Sequence, residues 1–127
     1  MLKIKRAYEP AEKGDGYRIL IDRLWPRGIS KEKAAIDLWA KNIAPSTETR
    51  KEFNHDAEKF PEFREKYISE LKENPSTDGF VATLASRLRE GNVTLVYASK
   101  DARYSDVSVL KEYVEQKLTA KAGKEQQ

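Results

Sequence analysis

The stretch from Tyr17 to Gly28, YRILIDRLWPRG, most limits what this chain can fold into. Ile19, Leu20 and Ile21 are consecutive apolar residues, so a strand built from them must be covered on both faces. Pro26 has no amide hydrogen for a ladder and ends the strand by Trp25. Gly28 admits a turn with positive φ. A doubly covered strand that runs into a dense charged corner predicts an α/β domain with a polar site at a strand end.

The other elements are set by periodicity and punctuation. Leu2 to Tyr8 alternates, which predicts a short strand. The loop through Glu9-Pro10 and Gly14-Asp15-Gly16 is short for a parallel crossover, so an antiparallel return and a compressed crossover both stay open. Ser30 is placed to cap a helix from Lys31 to Asn42, with Ala35, Leu38 and Trp39 inward. Ser46 and Glu48 start a short helix that ends near Asn54. Phe60, Phe63, Tyr67 and Leu71 recur at three and four residues after Pro61, one apolar stripe that Asn74-Pro75 stops. A further helix runs to about Glu90, with Val81, Leu84, Ala85 and Leu88 as its stripe, and Gly91 closes it. Val93 to Ala98, VTLVYA, is the clearest strand. A last helix is capped by Ser105 and buries Val107, Leu110, Val114 and Leu118.

The expected architecture is a single layered α/β domain over residues 1–118. It has a small three-stranded sheet, mostly parallel or mixed, under about five helices, with 119–127 as a flexible tail. Strands 17–24 and 93–98 are expected to be neighbours.

Composition excludes several classes. There is no cysteine, hence no disulfide framework, thiolate nucleophile or Cys-based zinc site. No run approaches 18 uncharged apolar residues, and the N-terminal residues are charged, so neither a membrane span nor a secretory signal is expected. A cytoplasmic protein is the expectation. The net charge is only +3, and basic and acidic residues are interleaved. A nucleic-acid binder usually gathers its charge into a stripe, so a nucleic-acid module stays an alternative that is not favoured.

Ligands of open α/β sheets sit beyond the carboxyl ends of the strands. Those ends carry Asp22, Arg23, Trp25 and Arg27 from one strand and Ser99 and Lys100 from the other. Arginine presents a planar fork that matches phosphate or carboxylate. The expectation is a small anionic ligand held by Arg23, Arg27 and Lys100 beside Ser99, with Trp25 as a wall and Asp22 as base or orienting group. The plainer alternative is that Asp22 ties Arg23 or Arg27 and Trp25 is core. His55 is the sole histidine and a candidate acid/base beside Asp56. Its plainer alternative is loop surface, with Asp56 capping the next helix. Tyr17, Arg50, Arg64 and Tyr67 could reach a pocket, but such residues more often snorkel or bond between helices. One histidine with scattered carboxylates has no metal-ligand spacing, and none of the nucleotide or hydrolase signatures is present, so no metal and no cofactor are expected.

Three stretches carry a family resemblance: KRAYEPAEKGDGYRILIDRLWPRGISK, LWAKNIAPSTETRKEFNHDAEKFPEFREKYISEL and VTLVYASKD. Over about residues 2–118 the chain resembles the domain-of-unknown-function 488 family, in its YeaO-like branch. The resemblance implies a compact α/β domain of bacteria and archaea with no established activity. Similar proteins carry His-Asp-Pro where His55-Asp56-Ala57 stands here, which raises His55 as a site residue. They carry Asn-His-Ala where this chain has Ser105-Asp106-Val107, so any mechanism needing a second imidazole is in doubt. Asp106 could still accept a proton or bind a cation, but it is not expected to replace a histidine donor near neutral pH. A non-catalytic interaction protein, with the DRLWPRG corner as a structural knot, is the remaining alternative.

Overall fold

The computed structural model describes residues 1–125. Four strands are present: β1 (Leu2–Arg6), β2 (Tyr17–Leu20), β3 (Leu38–Trp39) and β4 (Val93–Tyr97). They form one sheet in the order β1-β4-β2-β3, parallel throughout. Five α-helices accompany them: α1 (Lys31–Ala34), α2 (Thr47–Phe53), α3 (Phe60–Glu73), α4 (Thr77–Glu90) and α5 (Asp106–Glu125). Among the described residues no helix is long and apolar enough to cross a membrane. The segment 119–127, expected as a tail, begins inside α5, and residues 126–127 lie outside the described residues.

The sheet has four strands where three were expected, and the extra one corrects the helix placed over 31–42. Ser30 does cap α1, accepting from the Lys33 amide at 3.1 Å. The helix then stops after one turn, because Ala35 turns left-handed at φ 49. The free edge of β2 supplies the reason. The Asp37 amide donates to the Arg18 carbonyl (2.9 Å) and the Ala40 amide to the Leu20 carbonyl (2.8 Å). The Asp37 carboxylate takes the Arg18 amide at 2.8 Å. Buried backbone groups on β2 need partners, and that need outweighs a weak helical spacing.

The first connection is the compressed crossover, not the antiparallel return. β1 and β2 flank β4 and both run parallel to it, so residues 7–16 must travel back across one face of the sheet. Asp15 anchors them there. Its carboxylate meets Lys5 (3.1 Å) and Arg18 (2.6 Å), and its carbonyl accepts from the Thr94 hydroxyl (2.7 Å). Burial alone would raise the Asp15 carboxyl, but the Glu12 amide, Lys5 and Arg18 hold it below its ordinary value. Arg18 also donates twice to the Ala34 carbonyl, fixing α1 against the same face. The loop re-enters β2 through Gly16 at φ 67, where the Tyr17 amide meets the Asn92 carbonyl (2.9 Å).

The two faces differ as strand alternation requires. Ile19, Val93, Leu95 and Tyr97 pack under α2–α5 with Phe53, Phe63, Tyr67, Leu84 and Leu110. Leu20 and Val96 face the other way and form a small apolar cluster with Ala7, the loop residues Trp25, Ile29 and Ile36, and Trp39 of β3. Helices α2–α5 therefore cover one face, and loops with the single turn of α1 cover the other. The apolar stripe on α3 is core, as its spacing indicated.

Candidate functional site

β2 leaves the ladder earlier than Pro26 requires: the last ladder bond runs from the Ile21 amide to the Val96 carbonyl (3.1 Å). Asp22 comes next and turns its carboxylate onto the Ala98 amide at the end of β4 (2.8 Å). The Trp39 indole donates to the Asp22 carbonyl at 2.7 Å. The carboxyl ends of β2 and β4 are thus joined through Asp22 itself, not through a tie to Arg23 or Arg27.

The start of α5 brings Asp106 to this point. The Asp22 and Asp106 carboxyl groups lie within hydrogen-bonding reach of each other. Burial, and then the charge of Asp22, push Asp106 up to about 7, against the pull of Arg50 and of the first amides of α5. Asp22 is also raised, by burial first, with the Ala98 amide, Arg50 and Asp106 opposing. The two are best treated as one titrating unit. The raised Asp106 fits the expectation that this residue could still accept a proton where similar proteins carry a histidine. Both residues are half-buried.

Two helices complete the surroundings. Arg50, on α2, is exposed, and its charge is felt by both carboxyls. Among the described residues its guanidinium makes no hydrogen bond or ion pair. Tyr67, on α3, is buried and donates to the Ile43 carbonyl at 2.7 Å. Burial lifts its phenol well above the usual value, and the charges of Asp106, Glu70 and Asp22 add to that. Tyr67 is therefore a neutral donor already committed to backbone. Tyr67→Phe should cost about 1 kcal/mol in a denaturant titration, the net worth of one buried hydrogen bond. A cost near zero would show that the phenol is not so committed.

Glu70 takes the Ser46 amide (2.8 Å), the Ser46 hydroxyl (2.7 Å) and the Thr49 hydroxyl (2.6 Å). Burial works to raise it, but these donors and Arg23 hold it below its ordinary value, so it stays ionised. Arg23 is exposed and donates to the Pro45 carbonyl at 3.1 Å. Arg23, Asn42, Ser46, Tyr67, Glu70 and Asn74 line an open cleft of about 290 Å³.

The remaining expected site residues make separate contacts and are not gathered around the Asp22 carboxyl. Trp25 bonds the Ile29 carbonyl (2.7 Å) and meets Trp39 edge-on at 5.4 Å, inside the loop-covered cluster. Arg27 is exposed, and its carbonyl accepts from the Tyr8 hydroxyl at 3.3 Å. The Ser99 hydroxyl accepts from the Asp101 amide (3.3 Å), while its carbonyl takes the Arg6 guanidinium (2.9 Å). Lys100 is exposed. His55 is exposed, stands after Asn54 in the left-handed region at φ 56, and lies 6.3 Å from the Phe53 ring. Asp56 accepts from the Glu58 amide at 3.0 Å and so caps the turn after it. Arg64 pairs with Glu112 on α5, and Tyr17 lies under Arg87. Among the described residues no three His, Cys, Asp or Glu side chains converge as metal ligands would.

A family model described as the inactive DUF488-N3 subclade matches residues 1–127. The chain belongs to the DUF488 family. Its relatives agree. It is 42% identical to the uncharacterized protein YeaO of Escherichia coli K12 over 113 residues, which is 89% of this chain and 96% of that protein. It is 35% identical over 109 residues to the uncharacterized proteins Mb3100c of Mycobacterium bovis and Rv3073c of Mycobacterium tuberculosis, 86% of this chain and 89% of each. No solved structure matches the chain. The DUF488 match spans the DRLWPRG corner and the loop that leads into Asp106.

Proposed function

We propose that this DUF488 protein binds a small ligand bearing a phosphate or carboxylate group at the carboxyl ends of β2 and β4, and holds it without turnover. The observation that carries the reading is Arg50. It is an exposed guanidinium that makes no hydrogen bond or ion pair among the described residues, although its charge is felt by both carboxyls of the acidic pair. An unsatisfied planar fork at a strand end is suited to an incoming anion. Arg23 approaches from the neighbouring cleft with part of its fork in use, and Arg27 and Lys100 stand on the adjoining loops. The description of the subclade as inactive favours binding over catalysis. A cytoplasmic setting fits a chain without cysteine.

Calorimetric titration with inorganic phosphate and with sulfate tests this. Both anions should bind, and Arg50→Ala should weaken each by about tenfold or more, the worth of one charge-assisted bond. Unchanged binding in that variant would overturn the reading. So would preference for an oligonucleotide with a steep salt dependence, which belongs to a nucleic-acid module.

A further inference from the structure

We infer that the cleft of about 290 Å³ beside the β2 corner is a receptor site for a small α-amino acid with an uncharged polar side chain, of which L-glutamine is the type. The inference stands on the cleft's own residues and uses neither Arg50 nor the acidic pair.

Three stretches build the cleft, and all of them close on residues 42–46. From the corner after β2, the Arg23 guanidinium donates to the Pro45 carbonyl (3.1 Å). From α3, Tyr67 donates to the Ile43 carbonyl (2.7 Å), and Glu70 accepts from the Ser46 amide and hydroxyl (2.8 and 2.7 Å). Just past α3, the Asn74 side-chain amide donates to the Asn42 carbonyl (2.8 Å). These bonds fix the walls in advance, so a ligand does not have to order them.

The same bonds sort the cleft into two ends. Arg23 and Glu70 are tied to the consecutive residues Pro45 and Ser46, which makes one end charged. Asn74 and Asn42 are tied to each other, which makes the other end neutral and polar. Four residues of α3 separate Glu70 from Asn74, a rise of about 6 Å. Ile43 and Leu71, both buried, give the cleft an apolar lining.

Each end selects a group. Glu70 feels the charge of Arg23, but among the described residues no ion pair joins them. The bond to Pro45 uses one N–H of the Arg23 fork, and Oε1 of Glu70 accepts a single bond. A carboxylate can therefore dock on Arg23 while an ammonium docks on Glu70. A simple anion meets the charge of Glu70 and a simple cation meets that of Arg23, so the pair favours a zwitterion over either. At the other end, Oδ1 of Asn74 accepts from the Ser76 amide (2.8 Å), which fixes the orientation of that side chain. Its second N–H and the exposed Asn42 side chain then face a ligand as neutral donors and acceptor. A carboxamide carried two methylenes from the α-carbon suits that separation. The volume is at the small end for ligand sites and holds on the order of ten non-hydrogen atoms.

Calorimetric titration of the wild-type protein with L-glutamine tests this, and one molecule should bind per chain. Glutaramate lacks the amino group of glutamine, and γ-aminobutyramide lacks its carboxylate. Each should bind at least about tenfold more weakly, the worth of one charge-assisted bond. L-Norvaline keeps the zwitterion without the carboxamide and should bind several-fold more weakly. Arg23→Gln should weaken L-glutamine by about tenfold or more. Absence of L-glutamine binding at millimolar concentration would overturn the proposal. So would equal binding of any of the three analogues, or unchanged binding by Arg23→Gln. The analogue series decides the matter on the wild-type protein even where that variant fails to fold. Binding of inorganic phosphate without L-glutamine would remove this site and leave the Arg50 reading standing, and the opposite result would do the reverse.

Discussion

Replacing Asp106 by asparagine should make this protein more stable at pH 7.5 and should flatten its stability between pH 4 and 7. The ordinary aspartate value is 3.8, and the folded protein lifts Asp106 to about 7. Between those values the folded chain holds a proton that the unfolded chain has released. Stability therefore falls as pH rises through this window and levels off above it. That separation corresponds to at most about 4 kcal/mol, and because Asp22 shares the titration and both residues are only half-buried, about 2 kcal/mol is expected. Asparagine keeps a donor toward Asp22 and removes the charge conflict. In a domain of this size the gain should raise the melting temperature by about 6 °C at pH 7.5, with little change at pH 4. Thermal unfolding of both proteins across pH checks it. An equal gain at both ends of the range would mean that the pair is not the cause.

The second large effect belongs to Gly16. Gly16→Ala should cost about 4 kcal/mol or prevent folding, for two separate reasons. The position has φ 67, which a side chain disfavours. An added Cβ would also stand 2.0 Å from the Asn92 carbonyl oxygen, the acceptor of the Tyr17 amide. That oxygen is backbone and cannot swing aside. Gly28 is the control. It has φ 76 but nothing within 4 Å of an added Cβ, so Gly28→Ala should cost only about 1 kcal/mol. Similar losses at both positions, by denaturant titration, would show that the close approach to Asn92 contributes nothing.

These two positions also mark how far the sequence is legible. The Ile19-Leu20-Ile21 run and VTLVYA announce two adjacent buried strands, because an unbroken apolar run has one consistent placement in a layered fold. Asp22 and Ser99 are found by the same logic, since strand ends are where neighbouring strands hand over to loops. β3 is hidden: two residues paired to an edge leave no periodic signal, and Ser30 signals a helix start that lasts a single turn. Asp106 is legible as a helix-start residue, not as half of an acidic pair. Its partner stands across the sheet, and its environment comes from α2 and α3, which only tertiary packing brings together. Arg50 is likewise one charged helix residue among many until α2 is placed beside that pair.

The position of β4 has a consequence for how the chain comes together. β1 and β2 make no ladder with each other; each pairs with β4, with Leu2 opposite Val93 and Ile19 opposite Leu95. The strand that joins them is the last of the four to be synthesised. On a ribosome β1, and the edge of β2 not taken by β3, must wait unpaired until four of the five helices have emerged. Closure of the sheet is then a long-range event that pays its loop entropy at once. The sheet is complete only once β4 stands between β1 and β2, and that same strand carries Ala98 to the Asp22 carboxylate.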